Sequence, residues 1–264
     1  MSESQVDPRL MSTVASAIFY PRPDLPYGPE APGAFDDLFE IEEEVQLRMR
    51  FFLAEQKSAP TILFFHGNGE TARDYDPAAE AYRALPASLA VAEYRGYGGS
   101  TGEPSFDTFL DDAHLALDRA AVLLKQTERT GPLVVMGRSL GSAPALELAA
   151  SRAEDLSGLI IESGFADVVP LLEVLGLPAS KLGVTEAHGP QNRAKMARVT
   201  MPTLIMHAQL DQIIPINEGE ALFEACGDPD KAFLLVPAAG HNDIMAAAGA
   251  DYFFSIRRLL QRLG

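Results

Sequence analysis

Leu133-Val134-Val135-Met136-Gly137-Arg138-Ser139-Leu140-Gly141 is the stretch on which the fold turns. Four apolar residues run into a serine bracketed by glycines, and a helical segment rich in Ala and Leu follows over 141–152. G-x-S-x-G between a strand and a helix describes a sharp turn that lifts a hydroxyl clear of the backbone. The flanking glycines are needed because strand and helix crowd there. The amide after the serine then lies at a helix N-terminus, where N–H groups lack intrahelical acceptors and the dipole favours negative charge.

Working outward, short apolar runs at 61–65, 89–94, 133–136, 159–161, 203–207 and 233–236 alternate with helical segments at 72–85, 105–127, 141–152, 217–226 and 242–263. Strands that are apolar throughout are buried on both faces, which predicts a mostly parallel sheet covered by helices on both sides. Ahead of them, 38–41 and 45–53 alternate apolar and polar residues on either side of an acidic run, the pattern of a half-exposed antiparallel pair. Pro21, Pro23, Pro26, Pro29 and Pro32 exclude regular structure and mark 1–34 as an irregular lead-in, with the ordered core starting near Phe35. A chain of 264 residues with 47% hydrophobic content reads as a single α/β domain over 1–264.

Sites in such sheets lie outside the carboxyl ends of the strands. A serine hydroxyl needs a base to become nucleophilic, and the base needs a partner that fixes its tautomer. Asp211 follows the run 203–207, and His241, in Ala239-Gly240-His241-Asn242-Asp243, follows 233–236. The chain order serine, aspartate, histidine at three strand ends assigns Ser139 as nucleophile, His241 as general base and Asp211 as its orienting acid. Glu162, at the end of 159–161, is the competing carboxylate, and Asp211 is preferred because its strand directly precedes the one leading to His241. An oxyanion needs two preorganised donors. The N–H of Leu140 is one, and the N–H of Asn68, in His66-Gly67-Asn68-Gly69, is the other; His66 itself reads as structural. The stretch 162–202 leaves room for one or two short helices as a small cap-like insertion, and its apolar part suggests Leu171, Leu172 and Leu175 as walls of an acyl slot.

Phe65-His66-Gly67-Asn68-Gly69, the segment from Tyr94 through Arg95-Gly96-Tyr97-Gly98-Gly99 to Ser105, the Gly137 to Gly141 turn, Asp211 with Pro215, and Gly240-His241 together resemble the alpha/beta-hydrolase superfamily. They are most similar to its small, nearly capless branch of serine hydrolases. The resemblance runs from Phe35 to the C-terminus and implies the alpha/beta-hydrolase fold with Ser139, Asp211 and His241 as triad and Asn68 and Leu140 as oxyanion donors. It implies cleavage of a carboxylic ester or thioester through an acyl-enzyme; short to medium uncharged acyl groups are expected, and acyl transfer to another acceptor would use the same residues. Ser142, where the branch often has a second glycine, and Pro144, early in the next helix, are departures expected to shift the nucleophile slightly.

The balance of 21 basic against 37 acidic residues, a formal charge of -16, argues against nucleic acid and anionic lipid as partners. Residues 1–45 hold ten Asp/Glu and two Arg, read as a solvated acidic face. Gly67-Asn68-Gly69-Glu70-Thr71-Ala72 also fits the dinucleotide pattern G-x-G-x-x-A, with Glu93 placed for a ribose, but Glu70 would then face a pyrophosphate. That reading is the weaker one, and no cofactor is expected. No metal is expected either, since His114, His188 and His207 lack spaced partners and no Cys/His cluster exists; His207 should pack beneath the acid loop. Cys226 alone cannot form an internal disulfide and reads as a packing residue, which fits a reducing compartment. Without a basic leader segment or an 18-residue apolar run, the expected setting is cytoplasmic, with a small-molecule acyl substrate as partner.

Overall fold

The computed structural model describes residues 15–16, 18–24 and 31–263. Eight strands, β1 (Ala34–Glu42), β2 (Val45–Phe52), β3 (Thr61–Phe65), β4 (Ser88–Ala92), β5 (Leu133–Arg138), β6 (Gly158–Glu162), β7 (Thr203–Ala208) and β8 (Lys231–Val236), form one sheet. Their order is β1-β2-β4-β3-β5-β6-β7-β8, with β1, β2 and β4 antiparallel to one another in turn and the remaining neighbours parallel. Strands β3 to β7 are buried along their whole length, save for the partly covered Leu133. That double-sided burial is why they read as unbroken apolar runs.

The helices are α1 (Ala79–Ala84), α2 (Phe106–Gln126), α3 (Ser142–Ser151), α4 (Val168–Val174), α5 (Ala179–Leu182), α6 (Asn192–Met196), α7 (Ile216–Ala225), α8 (Ile244–Ala248) and α9 (Ala250–Leu260). One core holds Leu63, Phe65 and Val135 against Leu117 of α2, Leu146 of α3 and Leu222 of α7; the other holds Ile62, Phe64 and Met136 against Tyr82 of α1 and Ile256 of α9. The sheet is thus covered on both faces by alternate residues of the same strands. Three details differ from the sequence reading. The segment expected as one helix over 242–263 is two, broken at Gly249 with φ +53°. The insertion 162–202 carries α4, α5, α6 and a 3-10 turn (Glu186–His188) instead of one or two helices. Strand β2 is not half-exposed, because Arg48 and Arg50 are buried among carboxylates.

Those carboxylates correct the reading of the acidic N-terminal stretch. Asp36 pairs with Arg50 at 2.6 Å, Asp37 with Arg119 at 2.6 Å, Glu42 with Arg95 and Asp24 with Arg48, so much of the charge is internally matched and not merely solvated. The lead-in is likewise no bystander. Although 1–14, 17 and 25–30, with Pro26 and Pro29, lie outside the described residues, Ile18 and Phe19 are buried in the core, and Phe19 packs its ring edge-on against Phe109.

β4 follows β3 on one side of it, and β5 lies on the other, so the strand order reverses between β3 and β5. Ligand sites in open α/β sheets lie outside the carboxyl ends of the strands at such a reversal.

Candidate active site

Ser139 stands at that reversal, directly after the end of β5, with φ +52°. A left-handed backbone is costly for a residue with a Cβ and persists only where its surroundings impose it. The surroundings are the two glycines. A Cβ on Gly141 would lie 2.1 Å from the carbonyl oxygen of Phe65 on β3, and one on Gly137 would lie 2.2 Å from that of Gly141. The turn is closed against backbone on both sides. Ser142 adds a hydrogen bond from its hydroxyl to the Ser139 carbonyl at 2.7 Å. Pro144 falls in the first turn of α3, where a missing N–H costs little. The departures at Ser142 and Pro144 therefore sit in the turn without drawing Ser139 away from its partners.

The Ser139 hydroxyl lies 2.9 Å from Nε2 of His241, and Nδ1 of His241 lies 2.8 Å from Oδ2 of Asp211. All three residues are buried. The other carboxylate oxygen of Asp211 accepts the amides of Ile213 at 3.0 Å and Ile214 at 2.8 Å. Burial works to raise the Asp211 carboxyl, but the bonds from His241 and the two amides prevail and hold it below its usual range. His207 lies beneath, its Nε2 2.8 Å from the Ile214 carbonyl, and burial pushes it down toward the neutral form. Nε2 of His207 lies 3.7 Å from Oδ2 of Asp211, so of the two imidazoles His241 is the one that hydrogen-bonds the acid. A hydroxyl, a base and a fixed carboxylate in line are the parts of an activated nucleophile.

The loop of Asn68 lies beside this line because β3 pairs with β5 in a register that sets Phe65 opposite Gly137. Its side chain anchors the loop, accepting from the Tyr20 amide at 2.9 Å and the Tyr97 hydroxyl at 2.7 Å and donating to the Ile18 carbonyl. His66 is fully buried between Tyr94 and Tyr97, and burial lowers it. It holds no carboxylate and touches neither Ser139 nor Asp211 through any hydrogen bond described.

A cavity of about 190 Å³ adjoins Leu140, walled by Ile18, Phe106, Phe109, Phe165, Val168 and Leu171, with Asp107 and His188 also on its lining. Of the three leucines expected there, Leu171 lines the cavity. Leu172 is fully buried, and Leu175 is 43% exposed. Helix α4 explains the difference: Leu172 faces the core, Leu171 turns with Val168 toward the cavity, and Leu175 lies past the helix end. Ile18, Phe106, Phe109 and Phe165 were not singled out from sequence: Phe106 and Phe109 belong to a helical segment whose periodicity speaks only of packing, and Ile18 and Phe165 lie in stretches that carry no period.

Glu162 does not face His241 through its carboxylate. It is 2% exposed, accepting from Nε of Arg138 at 3.0 Å and from the Tyr252 hydroxyl. The dinucleotide pattern dissolves in the same way. Glu70 takes the Gly67 amide at 2.7 Å, and Glu93 is 3% exposed and accepts the amides of Ala72 at 2.9 Å and Gly99 at 2.8 Å as well as Arg48. Neither carboxylate is left to meet a ribose or a pyrophosphate. His114 lies 3.5 Å from Glu147, and His188 accepts the Thr185 amide at 2.9 Å. Among the described residues no group of three His, Cys, Asp or Glu could hold a metal, and no helix is long and apolar enough to cross a membrane.

Residues 56–187 match the sequence profile of the serine aminopeptidase S33 family of hydrolases. Protein bem46 of Schizosaccharomyces pombe is 32% identical over 203 residues, covering 75% of this chain and 66% of bem46, so the match spans just under two thirds of that relative. An uncharacterised protein of Mycobacterium tuberculosis is 30% identical over 234 residues, covering 87% of this chain and 80% of its own length. Among solved structures, an esterase of Pyrococcus furiosus superposes with a TM-score of 0.71 at 17% identity, over 92% of this chain and 99% of the esterase, a likeness of fold.

Proposed function

The chain belongs to the alpha/beta hydrolases of the serine aminopeptidase S33 family, and we propose that within it this protein is a serine esterase working through an acyl-enzyme. The observation that carries the reading is the unbroken line from Asp211 through His241 to Ser139, with spacings of 2.8 Å and 2.9 Å, ending on a hydroxyl held in a left-handed turn. In the first step the Ser139 oxygen attacks the acyl carbon while Nε2 of His241 takes its proton. Asp211 keeps the Nδ1 proton of His241 in place and stabilises the imidazolium. The oxyanion is received by the amides of Leu140 and Asn68. The imidazolium then returns the proton to the departing alcohol, and water repeats the sequence on the acyl-enzyme.

The cavity beside Leu140 would receive the acyl group. Its apolar walls favour an uncharged chain, each buried methylene adding about 0.8 kcal/mol until the space is filled, and its volume of about 190 Å³ suits short to medium chains. Monoacylglycerol lipases stand among the structural neighbours, one from Paleococcus ferrophilus at a TM-score of 0.63 and 16% identity, which supports an ester substrate without setting its length. A p-nitrophenyl ester series tests both parts. A burst of p-nitrophenol equal to the enzyme concentration and a kcat/KM that climbs with acyl length and then levels off are expected. Hydrolysis without a burst under conditions of slow deacylation, or a steady rise through long chains, would count against the proposal.

A further inference from the structure

Arg138, the residue between Gly137 and the serine, plays no part in the chemistry above, yet its guanidinium meets the segments that carry His241 and Asn68. It is 8% exposed. Nε donates to Glu162 at the end of β6 at 3.0 Å, and Nη1 donates to Glu70. Nη2 donates to the main-chain carbonyl of His241 at 2.9 Å and to the Asn242 side chain at 3.1 Å. Glu70 in turn accepts the Gly67 amide at 2.7 Å and the Tyr75 hydroxyl at 2.6 Å. Burial opposes the charge on Arg138, but Glu70 and Glu162 hold it firmly protonated.

We propose that Arg138 is a positioning residue that sets the distance between nucleophile, base and oxyanion donor. This inference rests on the esterase reading of the same site. One end of the residue is covalently joined to Ser139. The other fixes the backbone of His241 directly and, through Glu70 and its bond from the Gly67 amide, the loop that carries Asn68. Two of these links are to moving parts of the reaction: the imidazole must swing a proton from the serine to the leaving group, and the Asn68 amide must meet an oxygen that exists only once attack has begun. A planar fork with several donors in fixed directions can hold a carbonyl and two carboxylates at once, which a lysine ammonium on a flexible stem cannot. The arrangement also explains why a charged residue stands buried beside the nucleophile at all, since one arginine and two carboxylates would otherwise be removed from water for no gain in packing.

The test uses Arg138→Lys and Glu70→Gln in the full chain. Lys keeps the positive charge between Glu70 and Glu162, beside a cavity of about 290 Å³ lined by Glu70, Arg138 and Glu162. Gln retains an oxygen for the Gly67 amide, and the Glu70 side chain is 25% exposed, so that variant keeps its fold. Active sites are counted by fluorophosphonate titration, melting is followed by circular dichroism, and kcat and KM are measured per titrated site. Misplacement of catalytic groups by about 1 Å costs up to about 100-fold. A fall in kcat per titrated site of about 10- to 100-fold is therefore expected for Arg138→Lys, about 5- to 20-fold for Glu70→Gln, with KM moving less than about threefold. A purely structural role would lower the melting temperature and the titratable fraction while leaving kcat per site as it was. That outcome in the folded variants, Glu70→Gln deciding alone if Arg138→Lys does not fold, overturns the proposal. A wild-type protein that neither takes up fluorophosphonate nor turns over ester would instead refute the esterase reading, and is recognised before any variant is measured.

Discussion

Replacing Asp211 by Asn exchanges one heavy atom and should nearly silence the enzyme, for a reason fixed by the loop around it. Oδ1 of Asp211 accepts two amides, from Ile213 and Ile214, while Oδ2 accepts one bond from His241. An asparagine must turn its oxygen toward one set and its NH₂ toward the other. Facing the NH₂ toward the two amides would leave buried donors unpaired at about 1–3 kcal/mol each, so the oxygen stays with them and the NH₂ meets His241. Nδ1 then becomes the acceptor, the ring proton moves to Nε2, and the nitrogen facing Ser139 is a donor that cannot take the hydroxyl proton. A fall in kcat of about 10⁴ is expected, equivalent to about 5 kcal/mol, with little change in melting temperature because both amide bonds survive. Glu162→Gln serves as the comparison, since Glu162 reaches Arg138 and Tyr252 and not the imidazole. The assay is steady-state hydrolysis of p-nitrophenyl butyrate with sites counted by titration. A loss under tenfold for Asp211→Asn, or a larger loss for Glu162→Gln, would refute the reasoning.

Leu171→Ala enlarges the cavity beside Leu140 and should move the preferred acyl chain up by one or two carbons, whereas Leu175→Ala, at an exposed site, should leave the chain-length profile alone; equal behaviour of the two would remove Leu171 from the slot. Asp211, held below its usual range by His241 and two amides, stabilises the fold above the ordinary carboxylate pKa and loses that contribution as pH falls through its lowered value, so Asp211→Asn should weaken the pH dependence of unfolding on the acid side; an unchanged dependence would contradict this. Gly141→Ala drives a Cβ to 2.1 Å from the Phe65 carbonyl, which is backbone and cannot turn aside; a loss of about 3 kcal/mol or more in urea unfolding, or failure to fold, is expected, and a variant as stable as wild type would contradict the packing of the turn.

The sheet was legible because β3 to β7 are buried on both faces and so are apolar without interruption, a pattern that propensity cannot blur. The three residues of the proposed catalytic line were legible because each follows an apolar run, although β8, which leads to His241, is only partly buried. Leu172 and Leu175 show where this stops: a largely apolar stretch marks burial, but which side of a seven-residue helix meets a cavity depends on its tertiary axis, which no local pattern encodes. Ile18 was hidden for a similar reason, since a stretch of about one helical turn ahead of a proline-rich segment carries no period to read. Arg138 was visible as a residue but not as a junction. Its four contacts come from Glu70, Glu162, His241 and Asn242, and only the register of β3, β5 and β6 brings those together.

The central claim is that Ser139 is the nucleophile of an acyl-enzyme. Incubation of the full chain with a fluorophosphonate, followed by mass spectrometry of its peptides, tests it without assuming a substrate. The account predicts one adduct, on the peptide carrying Gly137 to Gly141 and at Ser139 itself. It also predicts that Ser139→Ala abolishes both the adduct and ester turnover, a fall of about 10⁴ to 10⁶ in kcat, while melting as wild type does. No adduct, an adduct on another residue, or ester turnover retained in Ser139→Ala would contradict it.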